Sequence, residues 1–352
     1  MQMEYKPKID LSLKRIAAFW EKDILDRPPL RIRYPINGTV DHDWPREYAS
    51  IDEYCEYWMD ICRQRAWLAD DYIPVCNGAM DANLMPAIMG CSVKYEHEAV
   101  LCDHPLKNWD QLETLSNQPL DDRNDTIVWL KSGIEYFSEQ AMNKCAVSTA
   151  LLVGPGDLMA ALRSSSQLCL DLIEEPEQVH RLAKICTMAI QEVLELQFAE
   201  VPRLEGGYCD PYNFWTPGKS SFVCDDFSSL ISSEMYEEFV FPYDCRLAEI
   251  MESSWMHIHS SGIRILEHTL KIPNLKAVQI CYDGEKGPSS RDLLPWMQKI
   301  QKEHCLLLRK FPYEQITSLL PELSPEGLYI DTQCDSRESA ERMLADWTSL
   351  FA

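Results

Sequence analysis

Two histidines stand two residues apart in the stretch Trp255-Met256-His257-Ile258-His259-Ser260-Ser261-Gly262. On an extended strand that spacing sends both imidazoles to one face, and two imidazoles on one face can share a divalent cation. The same spacing also arises as an ordinary pair of hydrogen-bonded histidines, so taken alone it leaves both readings open. A second element, Tyr329-Ile330-Asp331-Thr332-Gln333-Cys334, ends on a cysteine between the last strand-like run and the last helix. A helix N-terminus lowers a thiol's pKa through its dipole and its unsatisfied N–H groups. Cys334 is therefore the cysteine best placed to act as ligand or nucleophile, against the alternative of an inert buried thiol. Together His257, His259 and Cys334 form a donor set suited to a catalytic zinc ion with a fourth position left for water or substrate.

Other polar residues fall at the ends of strand-like runs. Cys224-Asp225-Asp226-Phe227 precedes a capped helix. Paired acids there commonly serve as caps, but Asp226 facing a cleft could act as a catalytic proton acceptor. Asp210, Tyr282 and Arg309 close three further apolar runs and are candidate substrate contacts, with Arg309 able to neutralise a carboxylate or to form a structural ion pair.

The elements that must position these groups are readable from periodicity. Leu11 to Trp20 is amphipathic, Asp26-Arg27-Pro28-Pro29 breaks it, and Leu30 to Tyr34 reads as a strand. A helix is expected over Ile51 to Ala69. From Lys144 onward, short apolar runs alternate with amphipathic helices, the pattern of βα units around a parallel sheet. The expected strands are Cys145 to Val153, Gly206 to Asp210, Trp255 to His259, Leu275 to Tyr282, Cys305 to Phe311 and Gly327 to Cys334. Between them lie helices over Asp157 to Leu170, Glu177 to Ala199, Ser233 to Met251 and about 291–303. Asp335 and Glu338 have capping-box spacing at the start of the final helix. The alternation implies a parallel sheet and the length suits one barrel, so a single (β/α)8 TIM-type barrel with an N-terminal helical extension is the starting expectation, residues 1–140 forming the cap and first units and 141–352 the rest. In such barrels the βα-loops at the C-terminal rim carry the active site.

Bulk properties narrow the partners. The chain of 352 residues sets 56 Asp and Glu against 33 Lys and Arg, a net charge of -23, which repels nucleic acid and anionic membranes. No apolar run approaches the roughly 20 residues a membrane span needs, and the polar Met1 to Asp10 segment lacks a signal-peptide core. The cytoplasm is thus the expected compartment. The 14 cysteines are scattered without a C-x-x-C pair, as expected for reduced, mostly buried thiols.

From Leu152 to the C-terminus the sequence resembles the uroporphyrinogen decarboxylase superfamily. Gly154-Pro155-Gly156-Asp157-Leu158 and Asp171-Leu172-Ile173-Glu174-Glu175-Pro176-Glu177-Gln178-Val179 are similar to two of its passages. The run from Asp226-Phe227 through Leu230-Ile231-Ser232-Ser233-Glu234-Met235 to Phe241-Pro242 is similar to a third. The resemblance implies a TIM barrel and one of two activities. Porphyrin-decarboxylating members carry an N-terminal arginine-bearing segment, WxMRQAGR, which is missing near Arg27-Pro28-Pro29-Leu30. Corrinoid-linked methyltransferase members ligate zinc through a His-x-Cys and a late cysteine. His257 matches the histidine, Cys334 matches the late cysteine, and His259 replaces the middle cysteine.

The resemblance therefore implies a zinc-dependent methyltransferase working with a corrinoid on a partner protein, on a small methylated or thiol substrate. A tetrapyrrole decarboxylase and a non-catalytic corrinoid- or tetrapyrrole-binding barrel are the alternatives. No motif specifies substrate, direction of transfer or oligomeric state.

Overall fold

The computed structural model describes residues 3–40, 50–77, 83–96 and 99–352. The first two residues of the polar N-terminal segment lie outside these.

The protein is an α/β barrel of the (β/α)8 type with a helical N-terminal extension. Eight parallel strands follow one another among the described residues: β1 (Leu30–Arg33), β2 (Val75–Cys76), β3 (Ala146–Val147), β4 (Ser220–Cys224), β5 (Ser253–His259), β6 (Leu275–Cys281), β7 (Cys305–Arg309) and β8 (Leu328–Gln333). Six of them form one hydrogen-bonded sheet in the order β1, β8, β7, β6, β5, β4, and β2 pairs with β3. Single backbone contacts span the two gaps. Asp71 N–H donates to Leu30 O at 2.7 Å, and Gly154 N–H donates to Cys224 O at 2.6 Å. The Asp70 and Asp71 carboxylates also accept from the backbone N–H groups of Ile32 and Leu30, each at 3.0 Å.

Parallel pairing aligns side chains in level rows. The lowest of three inward rows reads Phe222, Trp255, Ala277, Cys305. The middle row reads Cys224, His257, Gln279, Leu307, Tyr329. The upper row reads His259, Cys281, Arg309, Asp331, Arg31. Below that lowest row the inward residues Ser220 and Ser253 are polar, and charged and imidazole side chains are met toward the C-terminal rim. The alternate residues Met256, Ile258, Val278, Ile280, Leu306, Leu308 and Ile330 point outward into the main core beneath the helices.

The helix Ile9–Trp20 packs Ile9, Leu13, Ile16, Phe19 and Trp20 into the same cluster as the lowest row. Phe19 meets Tyr329 edge-on at 5.6 Å, and the Trp20 indole N–H donates to Trp215 O at 2.8 Å. The extension therefore acts as a floor for the barrel.

Several expected elements differ in extent. The helix expected over Asp157 to Leu170 is two helices, Pro155–Arg163 and Ser165–Glu174, because Ser164 adopts φ 73°. The helix expected over Ser233 to Met251 breaks at Val240, with Pro242 in the first turn of the second segment, where its missing N–H costs nothing. Strand β4 was not expected, because Ser-Ser-Phe-Val-Cys is too short and polar to show alternation. The run expected over Gly206 to Asp210 is one arm, Gly207–Cys209, of a hairpin with Trp215–Pro217.

Candidate active site

His257 and His259 end β5 and point into the lumen, their rings 5.1 Å apart and nearly perpendicular. Each has its Nδ1 held by a neighbour. His257 Nδ1–H donates to Gln279 Oε1 on β6, and His259 Nδ1–H donates to Asp283 Oδ1 at 2.5 Å. These contacts assign the proton to Nδ1 and leave the Nε2 lone pairs for another partner. Burial pushes the His257 pKa down to about 4, so the ring is neutral at physiological pH. Partial burial pushes Asp283 upward, but hydrogen bonds from His259 and Ser261 hold its carboxyl below the usual range.

Two sets of donor atoms converge here. His257, His259 and Cys281 have one ligand atom each within 4.8 Å of one another, as do Cys224, Asp226 and His257. Nitrogen, thiol and carboxylate donors around neutral imidazoles suit a borderline-soft divalent ion such as zinc. Outer acceptors on each Nδ1 are the usual support of metal-bound histidine. The residues present therefore fit a zinc ion.

Asp226 follows β4 and is exposed, with a carboxylate oxygen 3.8 Å from His259 Nε2. Its loop is held by a reciprocal clasp. The Asp157 carboxylate accepts from the backbone N–H groups of Asp226 at 3.0 Å and Phe227 at 2.7 Å, and Asp225 Oδ1 accepts from Asp157 N–H at 2.8 Å. Gly154 leaves room for this clasp, since a Cβ there would lie 2.5 Å from both the Asp225 carboxyl and Cys224 O.

Cys334 does not join the histidines. Its backbone N–H donates to Arg33 O at 2.8 Å, and its thiol faces Ser336 O at 3.3 Å. It lines a surface groove with Lys310, Tyr313, Asp335, Arg342 and Asp346. Nor does a helix terminus activate it. Ser336 caps the final helix, Arg337–Leu350, and burial raises the Cys334 pKa. The expected Asp335–Glu338 capping box is replaced by this serine cap, with Asp335 accepting from Ser336 and Ser339.

The three expected substrate contacts separate. Arg309 lies in the upper row, its guanidinium 4.2 Å over the Tyr212 ring. That ring in turn stacks on His257 at 5.8 Å and 18°. Asp210 is a turn residue whose Oδ1 accepts from the N–H groups of Tyr212 at 2.8 Å and Phe214 at 3.1 Å. Burial raises its pKa to about 7. Tyr282 follows the inward-facing Cys281 and stacks on Phe311 at 4.7 Å, against the core outside the lumen.

Gln279, Cys281, Asp283 and Tyr212 were missed. Cys281 had a signal, since it ends a strand-like run as His259 does. The other three depend on cross-strand register and a loop's path, which local spacing does not reveal. Arg31 and Arg33 were also overlooked. Arg33 Nε lies 3.1 Å from Asp331 Oδ1, and Arg31 and Arg309 each approach Asp331 Oδ2 at 3.6 Å, so three guanidiniums surround one buried carboxylate.

Residues 75–201 match the uroporphyrinogen decarboxylase (URO-D) family. A methyltransferase from Methanosarcina mazei is similar in structure, with a TM-score of 0.67 at 13% identity over 100% of both chains. No curated protein matches the sequence. Among the described residues no helix is long and apolar enough to cross a membrane.

Proposed function

We propose that the chain, whose residues 75–201 match the uroporphyrinogen decarboxylase family, is a zinc-dependent methyltransferase of that superfamily. The observation that carries the reading is the pair of histidines at the barrel rim, each with Nδ1 engaged by an outer acceptor and with one ring nitrogen within 4.8 Å of the other's and of the Cys281 sulfur. A bound zinc ion supplies Lewis acidity, which lowers the pKa of a coordinated thiol or stabilises a departing alkoxide. His257 and His259 would hold the ion as neutral donors. Gln279 and Asp283 fix their tautomers, and Asp226, beside His259 at the open mouth, takes or returns the proton of the substrate heteroatom. The methyl group passes between a small methylated or thiol substrate and a corrinoid on a separate protein. The structural likeness to a methyltransferase is consistent with this reading.

The test is zinc analysis of the purified protein together with the absorbance change of methylcobalamin when a thiol acceptor is added. Stoichiometric zinc and demethylation that His257→Ala abolishes are expected. Protein without zinc that is fully active would overturn the reading.

A second reading, decarboxylation of a polycarboxylate, gains support from Arg31, Arg33 and Arg309 around Asp331. The sequence lacks the WxMRQAGR segment, but β1 carries two arginines into the lumen by another route. Carbon dioxide release from uroporphyrinogen that Arg33→Ala abolishes would establish this reading; no release at high enzyme concentration would remove it.

A further inference from the structure

The geometry points to Cys281, and not Cys334, as the thiolate that completes the metal shell, an assignment that rests on the metal-site reading above. Cys281 is the direct register partner of His259 on the adjacent parallel strand, and Gln279, two residues earlier, partners His257. Neighbouring strands lie about 4.8 Å apart, so donors on paired inward residues start near bonding distance.

The observed spacing agrees. The nitrogens of His257 and His259 and the sulfur of Cys281 lie within 4.8 Å of one another. Tetrahedral zinc, with bonds of about 2.0–2.1 Å to nitrogen and 2.3 Å to sulfur, needs donors separated by roughly 3.3–3.8 Å. Side-chain rotation of about an ångström closes that difference, and the strands need not move.

Cys334 would have to travel. Its thiol would leave Ser336 O, and its backbone is tied to Arg33 O in a groove whose lining includes neither histidine.

The local charge accommodates such a shell. One thiolate reduces a divalent ion to a single positive charge, and the acidic groups flanking the pair, Asp226 beside His259 Nε2 and Asp283 on its Nδ1, offset that remainder and the neighbouring Arg309. With Cys281 bound at the wall of the barrel, Asp226 would remain free of the shell beside His259 Nε2, able to take the proton of a substrate. Cys334 is left as a surface thiol with no part in metal binding.

Cobalt(II) substitution of the full-length protein tests the assignment, because a cobalt–thiolate bond produces a near-ultraviolet charge-transfer band. Wild type and Cys334→Ser should show the band, and Cys281→Ser should bind cobalt with the band lost. A band that survives in Cys281→Ser, that disappears in Cys334→Ser, or that is missing from wild type would overturn it. X-ray absorption of the zinc-loaded wild type and Cys334→Ser needs no change at position 281, and should show one sulfur at about 2.3 Å in both. Loss of that sulfur in Cys334→Ser, or none in wild type, would likewise overturn it. His257→Ala separates the two levels. If it retains stoichiometric cobalt, the metal-site reading itself fails, whichever cysteine binds.

Discussion

Asp283 grips His259 from behind, its Oδ1 accepting from the imidazole Nδ1–H at 2.5 Å while Oδ2 accepts from the Ser261 backbone N–H at 2.9 Å. The carboxylate is therefore fixed by the loop after β5 and fixes the ring in turn. Removing such an outer partner typically weakens metal binding about 10- to 100-fold. Asp283→Ala and Gln279→Ala are each expected to lower zinc affinity by that factor in a chelator competition. Unchanged affinity in both variants would mean that ring orientation does not govern binding.

Asp226 stands at the mouth and is set there by the Asp157 clasp. Asp226→Asn is expected to reduce turnover by about 10²–10⁴, the usual worth of a general acid–base group, while the zinc content stays at the wild-type ratio. Turnover and metal analysis on the same preparation read both. A loss of zinc would instead make this residue a ligand.

Much of this was legible before any coordinates. The alternation of apolar runs and amphipathic helices points to a parallel α/β sheet, because each βα unit must bury one strand face and one helix stripe, while closure into a barrel rests on the length and the resemblance. His257 and His259 were found because period-two spacing on a strand is a local property. Cys334 lies apart from the helix terminus for a countable reason. The final helix starts at Arg337 with its cap at Ser336, so Cys334 sits too early to feel the helix terminus. Cys281 and Gln279 acquire meaning only from the ladder between β5 and β6, which joins residues distant in the chain. The breaks at Ser164 and Val240 lay inside otherwise continuous helical patterns.

Burial raises the pKa of Asp210 to about 7 and of Asp244 to about 6. The folded chain therefore retains protons that the unfolded chain, with ordinary carboxyls near 3.9, has already released. Stability contributed by these groups is present at low pH and is lost as pH rises toward 6 and 7. His257 acts in the opposite sense, since its depressed pKa costs stability as pH falls from 6.5 toward about 4. The Asp210 contribution is isolated by difference. Asp210→Asn should lose less stability than wild type between pH 4 and about 7, with urea midpoints as the readout. Parallel profiles would mean that Asp210 titrates normally.

Trp255 is 1% exposed in the lowest row, packed against Phe214 and Phe222. Trp255→Ala should cost about 3–5 kcal/mol of unfolding free energy, the range for emptying a large aromatic site. Chemical denaturation measures it, and a cost below about 1 kcal/mol would show that the row collapses to fill the space.

The floor built from that row and the Ile9–Trp20 helix has a kinetic corollary. Among the described residues, a vessel stoppered at its base leaves the opposite rim as its doorway. Under the proposed methyl transfer, incoming donor, departing product and docking carrier would take turns at that opening, so the demethylated product is expected to inhibit competitively against the methylated compound.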